Sequence, residues 1–338
     1  PSDPHLIWDP RRQVLERQRN QMQRFVVTGA NKGIGLEVVK ALLDAREGAF
    51  VFLGSRDAAR GKEAVDSLVA ENVNSYSGRV EVLEIDVSDV SSVSRAADTV
   101  RARLASDQEQ PSYLSALINN AGVAFHETSL ASFETTLQVN YRGVVQTTEA
   151  FLPLLDPSKG RVVMTSSASG PSFVAKCDPD RQAMFTNPNA THDRITSLLE
   201  ECLAIASSGW DGIGEKFAAA GMTSAERMCG YGLSKALVNL YTMQLARDKP
   251  SLMVNAASPG FMVTDLSRSF QQMLGQGKTV EEMGAKSPAE GAKPLVYLAV
   301  GDVPGSGWYF GSDMKRSPLH RYRESGSPAY DGQGDLVA

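Results

Sequence analysis

The sequence predicts a doubly wound parallel α/β sheet in a single domain, and three observations predict it. Short, continuous runs of apolar and often β-branched residues recur along the chain, segments of helical periodicity alternate with them, and a glycine-rich turn follows the first run. Continuous apolar runs mark strands buried on both faces, the situation of parallel strands covered by helices. Strand and helix in regular alternation then build the sheet. At 338 residues the chain is long enough to bury a full core around it.

The strands are read at Phe25–Val27, Val51–Leu53, Val80–Ile85, Ala116–Ile118, Arg161–Met164, Met253–Ala256 and Trp308–Phe310. Helical patterns fall at Ile34–Leu43, Val90–Leu104 and Phe133–Leu155. The last is expected to bend or break at Gly143 and Pro153, which weaken a helix interior. The interval between the fifth and sixth strands is anomalously long, and a structureless loop of that size does not suit a compact domain. Within it Leu198, Leu199, Cys202 and Leu203 repeat at helical spacing, so 171–228 reads as a helical insertion over the ligand edge of the sheet. The expected limits are an N-terminal extension at 1–22, the main α/β domain at 23–316 and a flexible tail at 317–338. The tail is expected to be flexible because RYRESGSPAYDGQGDLVA is rich in Gly, Ser and charge.

Composition narrows the function classes. A net charge of -5, from 34 basic and 39 acidic residues, opposes a nucleic-acid binder. No apolar run approaches the roughly 20 residues of a membrane span. Cys177, Cys202 and Cys229 show no paired spacing, and His5, His126, His192 and His320 are scattered, so no metal site is expected and a reducing compartment is. The arginine-bearing first 24 residues lack the apolar stretch of a secretory signal. A docking arm, the remnant of a targeting peptide and a disordered lead all stay open. The expected location is cytoplasmic, with an organelle as the alternative if the extension is such a remnant.

The first strand leads into TGANKGIGLEVVKALL, Thr28 to Leu43. Gly29, Gly33 and Gly35 fall where a buried strand turns into a helix, the place where backbone must approach a pyrophosphate closely. Asn31, Lys32 and Ile34 share that turn. The spacing G-x-x-x-G-x-G departs from the usual dinucleotide fingerprint, but its position between strand and amphipathic helix supports a nucleotide site. At the end of the second strand there is no acid for a ribose hydroxyl. Arg56 follows instead, with Arg60 a turn later and Lys32 nearby, a cationic set suited to the 2′-phosphate of NADP(H). Asp86 and Val87 close the third strand, where the adenine amino group is expected.

Together these pieces resemble the short-chain dehydrogenase/reductase family, and within it the monomeric carbonyl reductases, over roughly Arg24 to Lys315. TGANKGIG matches the cofactor turn, NNAG (Asn119 to Gly122) the segment after strand four, VNYRG the asparagine segment, and RVVMTSSASG the serine segment. YGLSK supplies a Tyr-x-x-x-Lys pair, SPGFMVTD (Ser258 to Asp265) the loop after strand six, and KSPAEGAKPLVYLA the C-terminal helix of carbonyl reductases. The resemblance implies a Rossmann fold and Asn140, Ser167, Tyr231 and Lys235 as catalytic residues. It implies cofactor contacts from Asn120, Ala121 and Gly122, from Pro259, Gly260, Met262 and Thr264, and from Tyr231 and Lys235 as well. Tyr231 stands 64 positions after Ser167, far more than the family's usual dozen or so, because of the insertion. Similar insertions in carbonyl reductases cover the faces that other members use to form tetramers, which implies a monomer. Ser258 stands where some animal carbonyl reductases carry a reactive cysteine, so a glutathione-type substrate is less supported.

The chemistry implied is carbonyl reduction. A free tyrosine has a pKa near 10, and a neighbouring lysine one turn on would stabilise its phenolate. Ser167 would hydrogen-bond the substrate oxygen as charge builds there, and Asn140 would hold a water linking Lys235 to solvent. The expected pocket walls are Ser169, Gly170, Phe125, Met228, Phe261, Met262 and the insertion, with no arginine placed to hold a carboxylate. They point to a medium-sized apolar or aromatic carbonyl compound as the small-molecule substrate. The alternatives are an assembly subunit that binds NADP(H) without turnover, docking through its extensions, and an enzyme that uses NAD.

Overall fold

The structure, a computed structural model, describes residues 22–106, 112–125, 129–222, 229–269 and 277–332. β1 (Gln23–Val27) runs into α1 (Gly33–Ala45), and β2 (Ala49–Ser55) into α2 (Ala58–Glu71) and the short α3 (Val73–Tyr76). β3 (Val80–Glu84) precedes α4 (Val90–Ser106). β4 (Ala116–Asn119) precedes α5 (Leu130–Leu137), a π-helical turn (Gln138–Arg142) and α6 (Gly143–Phe151). After β5 (Arg161–Thr165) come α7 (Ser169–Val174), α8 (Pro179–Phe185), α9 (His192–Ser207) and α10 (Ile213–Ala219), then the long α11 (Cys229–Asp248). β6 (Met253–Ala257), α12 (Asp265–Ser269), α13 (Pro288–Val300), β7 (Tyr309–Phe310) and β8 (Arg316–Ser317) complete the order.

The strands form one sheet in the order β3-β2-β1-β4-β5-β6-β7-β8, parallel except for β8, which runs antiparallel to β7. The order reverses between β1 and β4, which opens a crevice at the carboxyl ends of the strands. Register decides what meets there. Thr165 is level with Ala257, and Ala257 with Phe310, so the segments that follow β5, β6 and β7 leave the sheet side by side.

The continuous apolar runs feed two cores at once, because successive side chains point to opposite faces. Phe25 and Val27 join the core under α1, α2 and α13, whereas Val26 joins the one under α4, α5, α6 and α11. Each of these wholly buried side chains contributes about 1.5–3 kcal/mol relative to exposure. Leu233, Leu237 and Leu240 anchor α11 in the second core.

The helix expected over Phe133–Leu155 is interrupted just ahead of Gly143. The main-chain N–H of Gly143 donates to Gln138 O, five residues back, so one extra residue is accommodated in a π turn. Glycine is needed next because a Cβ there would lie 2.8 Å from Val87 O. The expected helical insertion is present in 169–222 as α7–α10. Its chain turns are capped by Asp178 and Thr191, and a bidentate Arg181–Glu201 pair ties α8 to α9.

The tail departs from expectation. As far as Gly332 it is a packed segment: the Arg316 guanidinium lies 4.3 Å from the Trp308 ring centre and 5.3 Å from that of Tyr330. Arg323 Nε donates to Ser317 Oγ at 2.9 Å, Nη1 to Ser327 O at 2.8 Å, and Nη2 to Asp313. Cation–ring stacking and a hydrogen-bonded ion pair hold the segment where aliphatic residues are scarce, which composition alone reads as disorder. The extension expected at 1–22, apart from Met22, and the last six residues lie outside the described residues. Among the described residues no helix is long and apolar enough to cross a membrane.

Candidate active site

The turn between β1 and α1 is set by two glycines at positive φ, Gly29 (+62°) and Gly33 (+58°), where a Cβ is strained. A Cβ at Gly29 would lie 2.7 Å from Ala121 Cα, and one at Gly35 would lie 2.5 Å from both Asn120 Nδ2 and Gly29 O. The glycine turn is therefore pressed against the segment after β4. Asn120 Nδ2 donates to Thr28 O (2.9 Å) and Gly29 O (3.0 Å), and the main-chain N–H groups of Asn120 and Ala121 both donate to Thr28 Oγ1. Expected as cofactor contacts, these two residues brace the turn, since both hydrogens of the Asn120 amide are spent on it. α1 starts after Lys32 with no side-chain cap and no acid in its first turn, so its leading N–H groups and the positive end of its dipole face the crevice. A pyrophosphate fits this cradle. Asn31 and Ile34 are half-buried in the same turn.

The three expected cations differ in state. Arg56 is exposed and makes no hydrogen bond or ion pair among the described residues. Arg60 pairs with Asp57 at 3.5 Å, and Lys32 pairs with Asp265, whose carboxyl it pulls below the usual range. At the end of β3, Asp86 Oδ1 accepts from Ser88 N (2.9 Å) and Ser88 Oγ (2.6 Å), while Val87 O abuts Gly143.

The loop after β6 lies across this turn. Thr264 Cγ2 would be 3.7 Å from a Cβ at Gly33, and Met262 bridges to Lys286 through hydrogen bonds of its neighbours, Val263 N to Lys286 O and Lys286 N to Phe261 O. Pro259 is buried, and Gly260 (φ +94°) lets the loop pass within contact of Ser312.

α11 brings the remaining residues in from the other side. Lys235, 4% exposed, donates from Nζ to Thr165 O at 2.8 Å and lies 5.6 Å from the Tyr231 ring centre. Burial pulls its ammonium from 10.5 down to about 8. Burial pushes the Tyr231 phenol up, and a hydrogen bond with Ser167 offsets part of that. Gly122 leaves room here: a Cβ would sit 3.3 Å from Asn140 Oδ1 and 3.9 Å from Lys235 Nζ. Ser166 is buried and bonds Asn239 Oδ1 at 2.7 Å, so of the serine pair only Ser167 opens to the crevice.

Asn140 was expected to hold a water linking Lys235 to solvent; the structure shows what its side chain binds within the protein. It is wholly buried, and its Oδ1 accepts from Val123 N at 2.8 Å. Its Nδ2 donates to Val123 O (2.8 Å) and Ser234 Oγ (3.2 Å). The amide is thus committed to fixing the loop after β4.

A cavity of about 260 Å³ opens beside Ser167. Its walls include Ser169, Phe261 and Tyr309, and the tail contributes Tyr322 and Arg323. Ser169 and Phe261 match expectation. Gly170 serves helix packing instead, since a Cβ there would be 3.0 Å from Lys235 C. Met262 is turned under α13 against Gly291, and Phe125 stands outside the cavity walls. Met228 lies outside the described residues, and among those described the insertion adds only Pro171. Arg323 reaches the cavity, where no arginine was expected to be placed to hold a carboxylate; Asp313 neutralises it, and Ser317, Glu324 and Ser327 take three more of its N–H groups. The tail wall was missed; its one signal was the pairing of aromatic and arginine residues in RYRESGSPAY.

The family described as short chain dehydrogenase matches residues 23–177. A Saponaria officinalis protein named short-chain dehydrogenase/reductase 1 is 32% identical over 316 residues, spanning 84% of this chain and 93% of the relative. Carbonyl reductase (NADPH) 1 of Pongo abelii is 32% identical over 289 residues, with 82% and 91% covered. Among solved structures, salutaridine reductase from Papaver somniferum superposes with a TM-score of 0.67 at 26% identity, over 85% of this chain and 99% of that one.

Proposed function

The chain belongs to the short-chain dehydrogenase family, and from that premise we propose that it reduces a ketone, aldehyde or quinone to an alcohol with NADPH, Tyr231 delivering the proton. The observation that carries the reading is that Ser167, which lines the cavity, is hydrogen-bonded to Tyr231, with buried Lys235 beside that ring, on the same sheet edge as an uncapped helix N-terminus suited to a phosphate. Bound NADPH supplies the hydride to the carbonyl carbon. The protein's part is to orient the carbonyl and supply the proton.

Ser167 donates a hydrogen bond to the carbonyl oxygen and is worth most as negative charge builds there. Burial keeps Tyr231 protonated at neutral pH, the state a proton donor requires. Lys235 retains its charge until the pH rises through about 8, and that charge favours the phenolate left once the proton has gone. Asn140, by gripping Val123, holds the loop after β4 against the nicotinamide end of the crevice. Gly29, Gly33 and Gly35 let backbone close on the pyrophosphate. Arg56, with no partner among the described residues to give up, is the principal contact for the 2′-phosphate. The name of the Pongo abelii relative supports NADP(H) over NAD.

Residues of α9 and α11 share one apolar core, so the insertion covers part of α11; this supports a monomer. Thermal shifts with NADPH and NADH test the cofactor, because the tighter ligand stabilises more. NADPH should win. A larger shift with NADH would refute the assignment, and size-exclusion at more than the mass of one chain would refute the monomer.

A further inference from the structure

Eight of the fourteen residues lining the cavity carry a hydroxyl, where the sequence suggested apolar or small walls. Ser167, bonded to Tyr231, lies at the β5 end, where the reacting carbonyl belongs on the reading above. Two strands away in the sheet, Ser312, just past β7, lines the cavity together with Tyr322 and Ser325 of the tail, and none of the three makes a hydrogen bond among the described residues. Tyr322 is 58% exposed, so its phenol stands at the rim. The remaining four hydroxyls are engaged within the protein: Ser169 accepts from Ser167, Tyr309 is hydrogen-bonded to Ser258, which also accepts from Gly260 N, and Ser317 accepts from Arg323 and donates to Lys315 O. Arg323, the charged residue in the walls, is neutralised by Asp313 and presents no net charge to a ligand.

A hydroxyl both donates and accepts, so a rim of free hydroxyls matches a neutral oxygen of either sense. It offers no net charge to a carboxylate, since Arg323 is already paired with Asp313, and a plain hydrocarbon end would desolvate these groups without repaying them. We infer that the substrate is a neutral carbonyl compound with a second, hydrogen-bonding oxygen at its far end, read by Ser312, Tyr322 and Ser325. The tail is then a specificity element of the site. The cavity volume, at the small end for ligand pockets, suits a single ring with a short chain.

The inference rests on the proposed reaction for which end the carbonyl occupies, and the test separates the two. The probes are benzylacetone and its para-hydroxy analogue. Binding is read as the thermal shift of the NADP-loaded protein, and turnover as NADPH oxidation. Wild type should favour the hydroxylated ketone by about tenfold, the scale of one good hydrogen bond. In the triple variant Ser312→Ala, Tyr322→Phe, Ser325→Ala that ratio should fall to about one. Tyr322→Phe alone keeps the ring and should already reduce it. Equal binding of the two ketones by wild type, or an unchanged ratio in the triple variant, overturns the inference. Binding preference without turnover of either ketone leaves it standing and counts against the reductase reading instead.

Discussion

Replacing Lys235 by methionine removes a charge that the fold holds almost out of water, against one main-chain carbonyl. The fall of its pKa from 10.5 to about 8 means that folding disfavours the ammonium by about 3 kcal/mol. The linkage has a definite sign. A group whose folded pKa is depressed contributes its full stability above the unfolded value and loses it as the pH falls through the folded one. The wild-type fold is therefore penalised in full below about pH 8 and not at all above 10.5. Methionine keeps the volume and removes the penalty, but leaves Thr165 O without its donor, at a cost of about 1 kcal/mol. The net gain for the cofactor-free variant near neutral pH is about 2 kcal/mol. For a chain of this length that is a rise of about 3 °C in Tm. Above 10.5 the sign reverses, and the variant becomes the less stable protein. Thermal denaturation across that pH window checks this, alongside a carbonyl reductase assay in which the variant should be inactive. A variant that is less stable at neutral pH, or whose advantage does not change with pH, would refute the reasoning that the fold bears a charge for the sake of its chemistry.

Other perturbations follow from the same geometry. Arg56→Glu should weaken NADPH binding by about 10–100-fold while leaving NADH far less affected, since among the described residues this guanidinium is free whereas Arg60 and Lys32 are already paired; cofactor titrations of wild type and variant decide it. Gly35→Ala should abolish the NADPH-induced thermal shift and lower stability by about 1–3 kcal/mol, because the new methyl meets Asn120 Nδ2 and Gly29 O at 2.5 Å. Arg323→Met should leave the Asp313 carboxylate unpaired and lower stability by about 3 kcal/mol. Limited proteolysis should then cut within 317–332 in the variant and spare the wild type.

Much of the sheet was legible because its signal is local. Each strand had only to be apolar on both faces, and Phe25–Val27 or Ala116–Ile118 say so without reference to the rest of the chain. The glycine turn was legible for the same reason, since strain and close approach restrict it to glycine. Roles that depend on partners distant in sequence were not. Nothing near Asn140 announces that Val123 and Ser234 will take up its amide, and nothing near Asn120 announces Thr28. The tail was hardest, because Arg316 and Arg323 read as solvated charge until Trp308, Tyr330 and Asp313 are brought beside them. The cavity inherits that gap: its hydroxyl rim is partly made by residues that sequence reasoning had set aside.

The central claim is that Tyr231 delivers a proton during NADPH-dependent carbonyl reduction. It is tested most directly by NADPH oxidation with quinones, aromatic aldehydes and ketones, comparing wild type with Tyr231→Phe, while thermal shift confirms that both still bind NADPH. Wild type should turn over at least one of these compounds, and the variant should lose about 10²–10⁴-fold in rate while keeping a clear NADPH shift. A wild type inert toward the whole panel, or a Tyr231→Phe variant as fast as wild type, would contradict it.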